Sequence, residues 1–594
     1  MAYQAPLRDM KFVLDAVVGL DEIVEMPPFV AADLETVFGA LDEAARFVQD
    51  QVAPLNEIGD QIGSVRNADG SVTTPPGFKE AYRQFVEAGW SAVPVPEEFG
   101  GHGFPLLVGT VVMEMLNAAN MAWTLCPLLT QSAIDALIHH GTPEQQATYL
   151  PNLLTGQWSG TMNLTEAHAG SDVGALRTRA EPADDGSWRI KGTKIFITYG
   201  EHDMAENIIH MVLARTPGSP PGTKGISLFI VPKFLVDEDG SVGERNDVFC
   251  ASLEHKMGIH GSPTAVMHYG ENSEGAVGYM IGSENEGMRA MFTMMNGARL
   301  AVGNEGLGIA DRAYQQAVIF AQERHQGRAI GSTESSPIID HPDVRRMLMT
   351  MKAYIEAMRC VIYADAAFID RSIGAATVEE RTSASHLAAL FTPISKAWCS
   401  DLGCEVASLA LQVHGGMGFI EETGAAQHYR DARIAPIYEG TNGIQAIDLV
   451  MRKLPLENGD VIAGLITDVR DTVDSLAHRP NLASKLRSAV DAVETATAHL
   501  MASLPNDPNQ ALAGATPFLR LLGTVLGGHF MGQSLVAAES LADARDGDQE
   551  FLEAKIATAS FYLDQLLPQA IGLVDAIVAP DEALFAIEPK YLVG

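Results

Sequence analysis

Trp188-Arg189-Ile190-Lys191-Gly192-Thr193-Lys194-Ile195-Phe196-Ile197-Thr198 follows an Asp184-Asp185-Gly186 turn and partly alternates apolar with polar residues. Such a run, rich in β-branched residues, reads as a strand. Further short β-branched or aromatic runs at 208–213, 226–231 and 265–269 stand between Gly and Pro turns. Together they predict a β domain over 161–285. Both flanks read differently. Upstream, Leu34, Phe38, Leu41, Ala44 and Phe47, then Val108, Val112 and Met115, recur at three-to-four spacing, so 1–160 is expected to be helical. From Gly287 the helical period returns, broken by the loop 327–342 and by 414–424, and predicts a bundle of long antiparallel helices over 286–455. A last helical domain is expected over 456–594. The fold class is therefore mostly α: a helical domain, a central β barrel or sandwich, a helical bundle and an extra helical domain.

Length and composition agree with several packed cores. The chain has 594 residues, 47% hydrophobic and 19% charged, which suits globular domains rather than disorder. No apolar run approaches the length of a bilayer span, and the start, Met1-Ala2-Tyr3-Gln4-Ala5-Pro6, lacks a basic segment followed by an apolar core. A cytoplasmic protein without membrane insertion is the expectation. Five scattered cysteines form no Cys-x-x-Cys pair, which suits reduced thiols. The formal charge of −35 argues against nucleic acid as a partner. An anionic ligand would need local Arg side chains, amides or helix N-termini.

The chemistry concentrates in a few segments. In Pro436-Ile437-Tyr438-Glu439-Gly440-Thr441-Asn442 a lone carboxylate sits between an aromatic residue and a glycine. Burial there would raise its pKa and make it a stronger base. Gly440 leaves the backbone open to close approach, and Thr441 offers a hydroxyl. Met162-Asn163-Leu164-Thr165-Glu166-Ala167-His168-Ala169-Gly170-Ser171-Asp172 combines small residues and hydroxyls suited to a flat polar ligand, and equally suits a capped loop. Phe196 and Thr198 put an aromatic ring and a hydroxyl on one side of a strand. Arg299 and Arg324 lie 25 positions apart on helical segments; Arg suits phosphate, and also suits a solvated helix face. His414-Gly415-Gly416 looks like an esterase oxyanion segment, but no Gly-x-Ser-x-Gly elbow accompanies it. Neither a dinucleotide fingerprint nor a Walker loop is present, and the seventeen histidines show no metal-ligand spacing.

Taken together, these segments resemble the acyl-CoA dehydrogenase family. Leu164-Thr165-Glu166 with Gly170-Ser171-Asp172, Phe196-Ile197-Thr198, Arg299, Gln412 with Gly415-Gly416, and Tyr438-Glu439-Gly440-Thr441 come in family order over about residues 35–455. The resemblance implies FAD between the β domain and the bundle. Glu439 would remove the α proton of an acyl-CoA thioester. Met162, Leu164, Thr165, Ser171, Phe196 and Thr198 would line the flavin, with Thr441 beside the base. Arg324 and Gln326 would hold the FAD phosphates and neighbouring groups, and Gln412, Gly415 and Gly416 the FAD of an adjacent subunit. Ser171, Asn296, Arg299 and Gly440 would contact substrate. Product would be the trans-2-enoyl-CoA, with electrons passing to an electron-transfer flavoprotein.

Departures narrow the reading. Ala298 precedes Arg299 where some relatives carry their catalytic Glu, Ala167 replaces a usual Pro, and His260 stands where many relatives have Arg. The extra C-terminal domain is similar to that of very-long-chain members and of a bacterial branch acting on 3-(methylsulfanyl)propanoyl-CoA in dimethylsulfoniopropionate catabolism. The opening Tyr3–Met10 and the segment Gly258-Ile259-His260-Gly261-Ser262-Pro263 are most similar to that branch. The expected enzyme is thus an FAD-dependent homodimer acting on this thioether acyl-CoA. The alternatives are a straight-chain fatty acyl-CoA dehydrogenase, an acyl-CoA oxidase and a dehydrogenase-like DNA-binding protein. Nineteen Asp/Glu against eight Lys/Arg after Pro455 speak against the last.

Overall fold

The computed structural model describes residues 3–593, so the reading of Met1 and Ala2 lies outside it. Helices fill the first 154 residues: α1 (Leu7–Ala16), several shorter ones, and α2 (Leu106–His140), whose residues are almost all buried. A two-stranded ribbon, Val65–Arg66 with Val72–Thr73, interrupts this helical region and was not expected from the sequence. Asn120, at φ −163° and ψ 87°, kinks α2, and its Oδ1 accepts the Trp123 amide at 3.1 Å to start the second half.

Eight strands of one sheet follow: β1 (Trp158–Asn163), β2 (Arg179–Pro182), β3 (Trp188–Thr198), β4 (Asn207–Ala214), β5 (Ser227–Pro232), β6 (Val248–Leu253), β7 (Thr264–Tyr269) and β8 (Ala276–Ile281), with a separate ribbon of Phe234–Val236 and Val242–Arg245 between β5 and β6. Their order in the sheet is β6-β7-β3-β8-β5-β4-β1, with β2 also on β3; the pair β1–β4 is parallel and the others antiparallel. Every residue of β1, β4 and β5 is buried. That explains why these strands read as unbroken apolar runs, because covering both faces removes the alternation. A Cβ on Gly160 would sit 2.4 Å from Ala133 Cβ, so β1 lies directly against α2.

The bundle is built from α3 (Gly287–Glu323), α4 (Pro342–Gly374) and α5 (Val378–His414), extended by α6 (Asn442–Asp448). Glycines bring α3 and α5 together: a Cβ on Gly303 would fall 2.3 Å from Ser395 O, and one on Gly306 2.5 Å from Cys399 O. Contacts 303–395 and 306–399, with the Phe320 ring 4.5 Å from His414, make these two helices parallel. The C-terminal helices include α7 (Ala515–Ala544) and α8 (Gln549–Phe561), which pack on α4 and α5.

One expectation is corrected. By length and composition alone, three helical stretches are long and apolar enough to cross a membrane: Leu106–His140, Ala515–Ala544 and Gln549–Val578. In the first two most of the apolar window is buried, as expected of helices enclosed by protein on every side. An unbroken-run criterion misses them because single polar residues punctuate each helix.

Candidate active site

Glu439 sits in a turn between the last bundle residues and α6, with φ +54°, and Gly440 follows at φ +79°. A non-glycine residue in this region costs about 1–3 kcal/mol and persists only where its surroundings hold it. Gln445, fully buried, donates to the Gly440 carbonyl at 3.2 Å, and a Cβ at position 440 would meet its Nε2 at 2.8 Å. Asn442 bolts the turn to α5. Its Oδ1 accepts from Lys396 Nζ at 2.8 Å, and its Nδ2 donates to Asp401 Oδ1 at 2.7 Å. The Thr441 hydroxyl accepts the Ile444 amide at 3.3 Å and caps α6, so part of its hydrogen-bonding capacity is structural.

Burial raises the pKa of Glu439, while Arg299 and then Lys396 oppose the rise. The outcome is a carboxylate with enhanced basicity between two cations. Arg299, read from sequence as a helix residue of uncertain exposure, is buried on α3. Its Nη2 would lie 3.7 Å from a Cβ at Gly440, its Nη1 donates to Asn296 Oδ1 at 3.4 Å, and its Nε has no partner. The structure therefore gathers Asn296, Arg299, Glu439 and Gly440. Ser171, in an exposed loop of the β domain, has no hydrogen bond to them among the described residues.

The chain also brings in groups that sequence reasoning passed over. Glu305, on α3, is fully buried, and its Oε2 accepts a short hydrogen bond from the Tyr438 hydroxyl. Burial lifts its pKa to about 8. Lys396, also fully buried, is pulled down to about 8 by burial against the attraction of Glu439 and Glu305. A lone acid in Gly303-Asn304-Glu305-Gly306 and a lone cation in Ile394-Ser395-Lys396-Ala397 were the available signals, since a charge within an apolar helix needs a partner.

A cavity of about 120 Å³ lies between α2 and α3, where it is lined by residues of α3 that alternate in sequence with Asn296, Arg299 and Glu305. Its walls include Met113, Leu116, Asp135, Leu300, Ala301 and Asn304, and it is mostly apolar. A second, open cleft on the outer side shares Trp90 and Val93 with it.

On the β domain, the pairing of β3 with β7 slips between Ala265 and Met267, so Ile195 and Phe196 oppose a single residue. Such a bulge re-aims a side chain. Phe196 takes φ +60° and leaves its ring 58% exposed, with Ile197 buried behind it and Thr198 facing outward. Next to it, Lys194 Nζ donates to Leu164 O at 2.9 Å and Ile195 N to Thr165 O at 2.9 Å. Lys194 is also ion-paired at 2.9 Å with Glu166, which accepts the Arg177 and Thr178 amides. Leu164, Thr165, Phe196 and Thr198 thus form one patch, with Met162 buried just behind it in β1. Among the described residues the Thr165, Ser171 and Thr198 hydroxyls have no hydrogen-bond partner.

At the far end of the bundle, Arg324 and Gln326 follow α3, while Gln412, Gly415 and Gly416 end α5. The Phe320–His414 stack joins these two ends. The side chains of Arg324, Gln326 and Gln412 are exposed and unpartnered among the described residues, and a Cβ on Gly415 or Gly416 would meet nothing in the chain. Twenty-five helical residues separate Arg299 from Arg324, about 37 Å at the usual rise. The phosphate-binding candidates Arg324 and Gln326 therefore lie far along α3 from Arg299 and the turn around Gly440.

Both that end of the bundle and the Phe196 patch suit FAD. An outward ring, free hydroxyls and small residues match a flavin, and a free Arg with an open glycine pair matches a phosphate-bearing arm. His260, the departure noted in the sequence, is structural here. Its Nδ1 lies 2.9 Å from Asp60 Oδ1 and its Nε2 3.0 Å from Lys256 O, pinning the β domain to an N-terminal helix that Arg430 also grips through Asp60.

Four family profiles match in succession: acyl-CoA dehydrogenase N-terminal domain (residues 40–157), middle domain (161–271), C-terminal domain (285–454), and acetyl-CoA dehydrogenase C-terminal like (465–588). The chain is 47% identical over 573 residues to 3-methylmercaptopropionyl-CoA dehydrogenase of Ruegeria pomeroyi, covering 96% of each. It is 35% identical to a butyryl-CoA dehydrogenase of Syntrophomonas wolfei, over 98% of this chain and 97% of that one. The FAD complex of an acyl-CoA dehydrogenase from Bacillus anthracis has the same fold, with a TM-score of 0.74 at 19% identity, covering 99% of this chain and 93% of that one.

Proposed function

The chain belongs to the acyl-CoA dehydrogenase family, and from that premise we propose that it oxidises 3-(methylsulfanyl)propanoyl-CoA to its trans-2-enoyl-CoA. It is an FAD enzyme. The observation that carries the mechanism is Glu439: a carboxylate of raised pKa, in a strained turn, under the charges of Arg299 and Lys396. Glu439 removes the α proton of the thioester. Arg299 and Lys396 keep the base ionised at rest, and Gln445 fixes the carbonyls of the turn so that the carboxylate is aimed before substrate arrives. FAD, when bound, supplies the acceptor for the β hydrogen as hydride. Leu164, Thr165, Phe196 and Thr198 would hold the flavin, and the cavity between α2 and α3 would take the acyl tail.

The cavity size supports a short acyl group. A dry cavity of about 150 Å³ takes a guest of benzene's bulk, and this one is about 120 Å³. A straight C4 chain is nearly isosteric with the thioether, and the resemblance to butyryl-CoA dehydrogenase favours it as a second substrate. The test is kcat/KM for the thioether substrate and for C4 to C16 acyl-CoAs, with electron-transfer flavoprotein as acceptor. An optimum at the thioether or C4 is expected; an optimum at C12 or longer would overturn the substrate.

The 37 Å between base and phosphate-binding set supports a homodimer in which Arg324, Gln326, Gln412, Gly415 and Gly416 serve the cofactor of the partner. Met417 and Phe419, exposed at 49% and 88%, flank that set and suit such an interface. Light scattering should give twice the chain mass; a tetramer or a monomer that retains FAD would contradict it. We assign the enzyme to the cytoplasm.

A further inference from the structure

Glu305 has no role in the chemistry described above, yet it is the buried acid closest in the hydrogen-bonding network to the base. It lies seven residues, or about two helical turns, beyond Ala298 on α3, with cavity residues Ala301 and Asn304 before it. Its Oε2 accepts from Tyr438, the residue that precedes Glu439, and its Oε1 has no partner. The groups that act on it are Tyr438 and Glu439 from the turn and Lys396 from α5. Arg299 on its own helix acts on Glu439, and Asp401 of α5 on Lys396. Helix α2 presents the neutral Asn117 to α3 at Gly308, while its Glu114 is engaged by Arg359 and Tyr363.

We infer that Glu305 is a positioning residue for the dehydrogenation: through Tyr438 it fixes the strained turn that carries Glu439, and its own protonation state sets the strength of that base. The inference rests on Glu439 being the base. The Tyr438 hydroxyl's bond to Glu305 ties the residue before the left-handed Glu439 to α3, while Gln445 and Asn442 hold the residues after it. The charge argument is independent of that restraint. With Glu305 neutral, Glu439 is the only anion of the pair. Once Glu305 ionises, two like charges share a buried site, the proton affinity of Glu439 rises, and α-proton removal speeds up as charge leaves Glu439 for the thioester.

The test is anaerobic flavin reduction by acyl-CoA in the holoenzyme, followed from about pH 6 to about pH 9.5. The rate should rise through a second step near pH 8, the value to which burial lifts Glu305. Glu305→Gln still accepts from Tyr438 and cannot ionise. It should retain FAD, stay within about threefold of the wild-type rate at pH 7, and lose the second step. Tyr438→Phe removes a bond that lowers the Glu305 pKa, so the step should move to higher pH, with kcat reduced and KM unchanged. Superimposable profiles for wild type and Glu305→Gln would overturn the inference. Should Glu305→Gln fail to fold, an unmoved step in Tyr438→Phe overturns it instead. Rapid flavin reduction by Glu439→Gln would remove the base assignment itself, a result distinct from either.

Discussion

Lys555 Nζ lies 2.6 Å from Asp9 Oδ1, across 546 positions of chain. The same ammonium reaches Glu356 Oε2 at 2.8 Å, and Asp9 also receives Arg359, which holds Glu114 at 2.6 Å. One buried ionic chain therefore ties α1, α2 and α4 to α8 of the C-terminal domain. Burial alone would raise the pKa of Asp9, but Lys555 and then Arg359 outweigh it and hold the carboxyl below the usual carboxylate range. The added domain is clamped to the dehydrogenase core through charges, at the opposite end of the sequence from where it attaches.

Lys555→Met should lower the melting temperature at pH 7 by the equivalent of up to about 3–5 kcal/mol, because it removes one of the two cations on each of two buried carboxylates, leaving Asp9 with Arg359 and Glu356 with Lys352. The sign with pH follows from Asp9. A depressed carboxylate pKa contributes stability above its unfolded value near pH 4 and loses it as pH falls toward the folded value. The gap between wild type and variant, measured by calorimetry, should therefore shrink in acid. Equal melting at pH 7 would show that the clamp contributes nothing.

Arg324→Ala should weaken FAD retention without changing the melting of the flavin-free protein, since Arg324 has no partner among the described residues. A hydrogen bond to a charged group is worth about 1.5–3 kcal/mol, or roughly tenfold to a hundredfold in affinity. Absorbance titration of apoprotein with FAD reads this directly, and unchanged affinity would remove Arg324 from the cofactor site.

The alternation within Trp188–Thr198 and the long helical periods made the layout of helix, sheet and bundle readable from sequence. The ribbon at Val65–Thr73 was not, because two-residue strands carry no period. The turn Tyr438-Glu439-Gly440 was legible as chemistry because a carboxylate beside a glycine is a local signal. Glu305 and Lys396 were not, because their meaning depends on α3 and α5 approaching closely at Gly303 and Gly306, a contact between residues about 90 positions apart in the chain. The distance of Arg324 from the turn that carries Glu439 was likewise invisible until helix length supplied it.

Glu439→Gln should retain FAD and acyl-CoA binding but lose about 10²–10⁴-fold or more in flavin reduction, since the amide is nearly isosteric and accepts no proton. In the wild type, activity should fall as pH drops through the Glu439 pKa. Burial has moved that pKa above the ordinary glutamate value, so the acid limb should appear above pH 4.5. An acid limb at or below that point, or bleaching by the Gln variant at the wild-type rate, would move the base elsewhere.

Trp90 should set the longest acyl chain accepted. With Val93 it lines both the inner cavity and the outer cleft, so the two residues form the wall between them. Among the described residues the buried Trp90 indole Nε1 has no partner, so no hydrogen bond from them holds the ring in place. Trp90→Ala should join the two spaces and let a longer tail pass outward. Each methylene that gains an apolar wall is worth about 0.8 kcal/mol, roughly fourfold in kcat/KM. The C8 to C12 acyl-CoAs should therefore gain by one to two orders of magnitude. The thioether and C4 substrates, which do not reach the wall, should change little. The measurement is kcat/KM across the acyl series for both proteins. A profile unchanged by the substitution would mean that the cavity is closed by other residues, and an equal loss for all substrates would mean that Trp90 serves only to hold α2 in place.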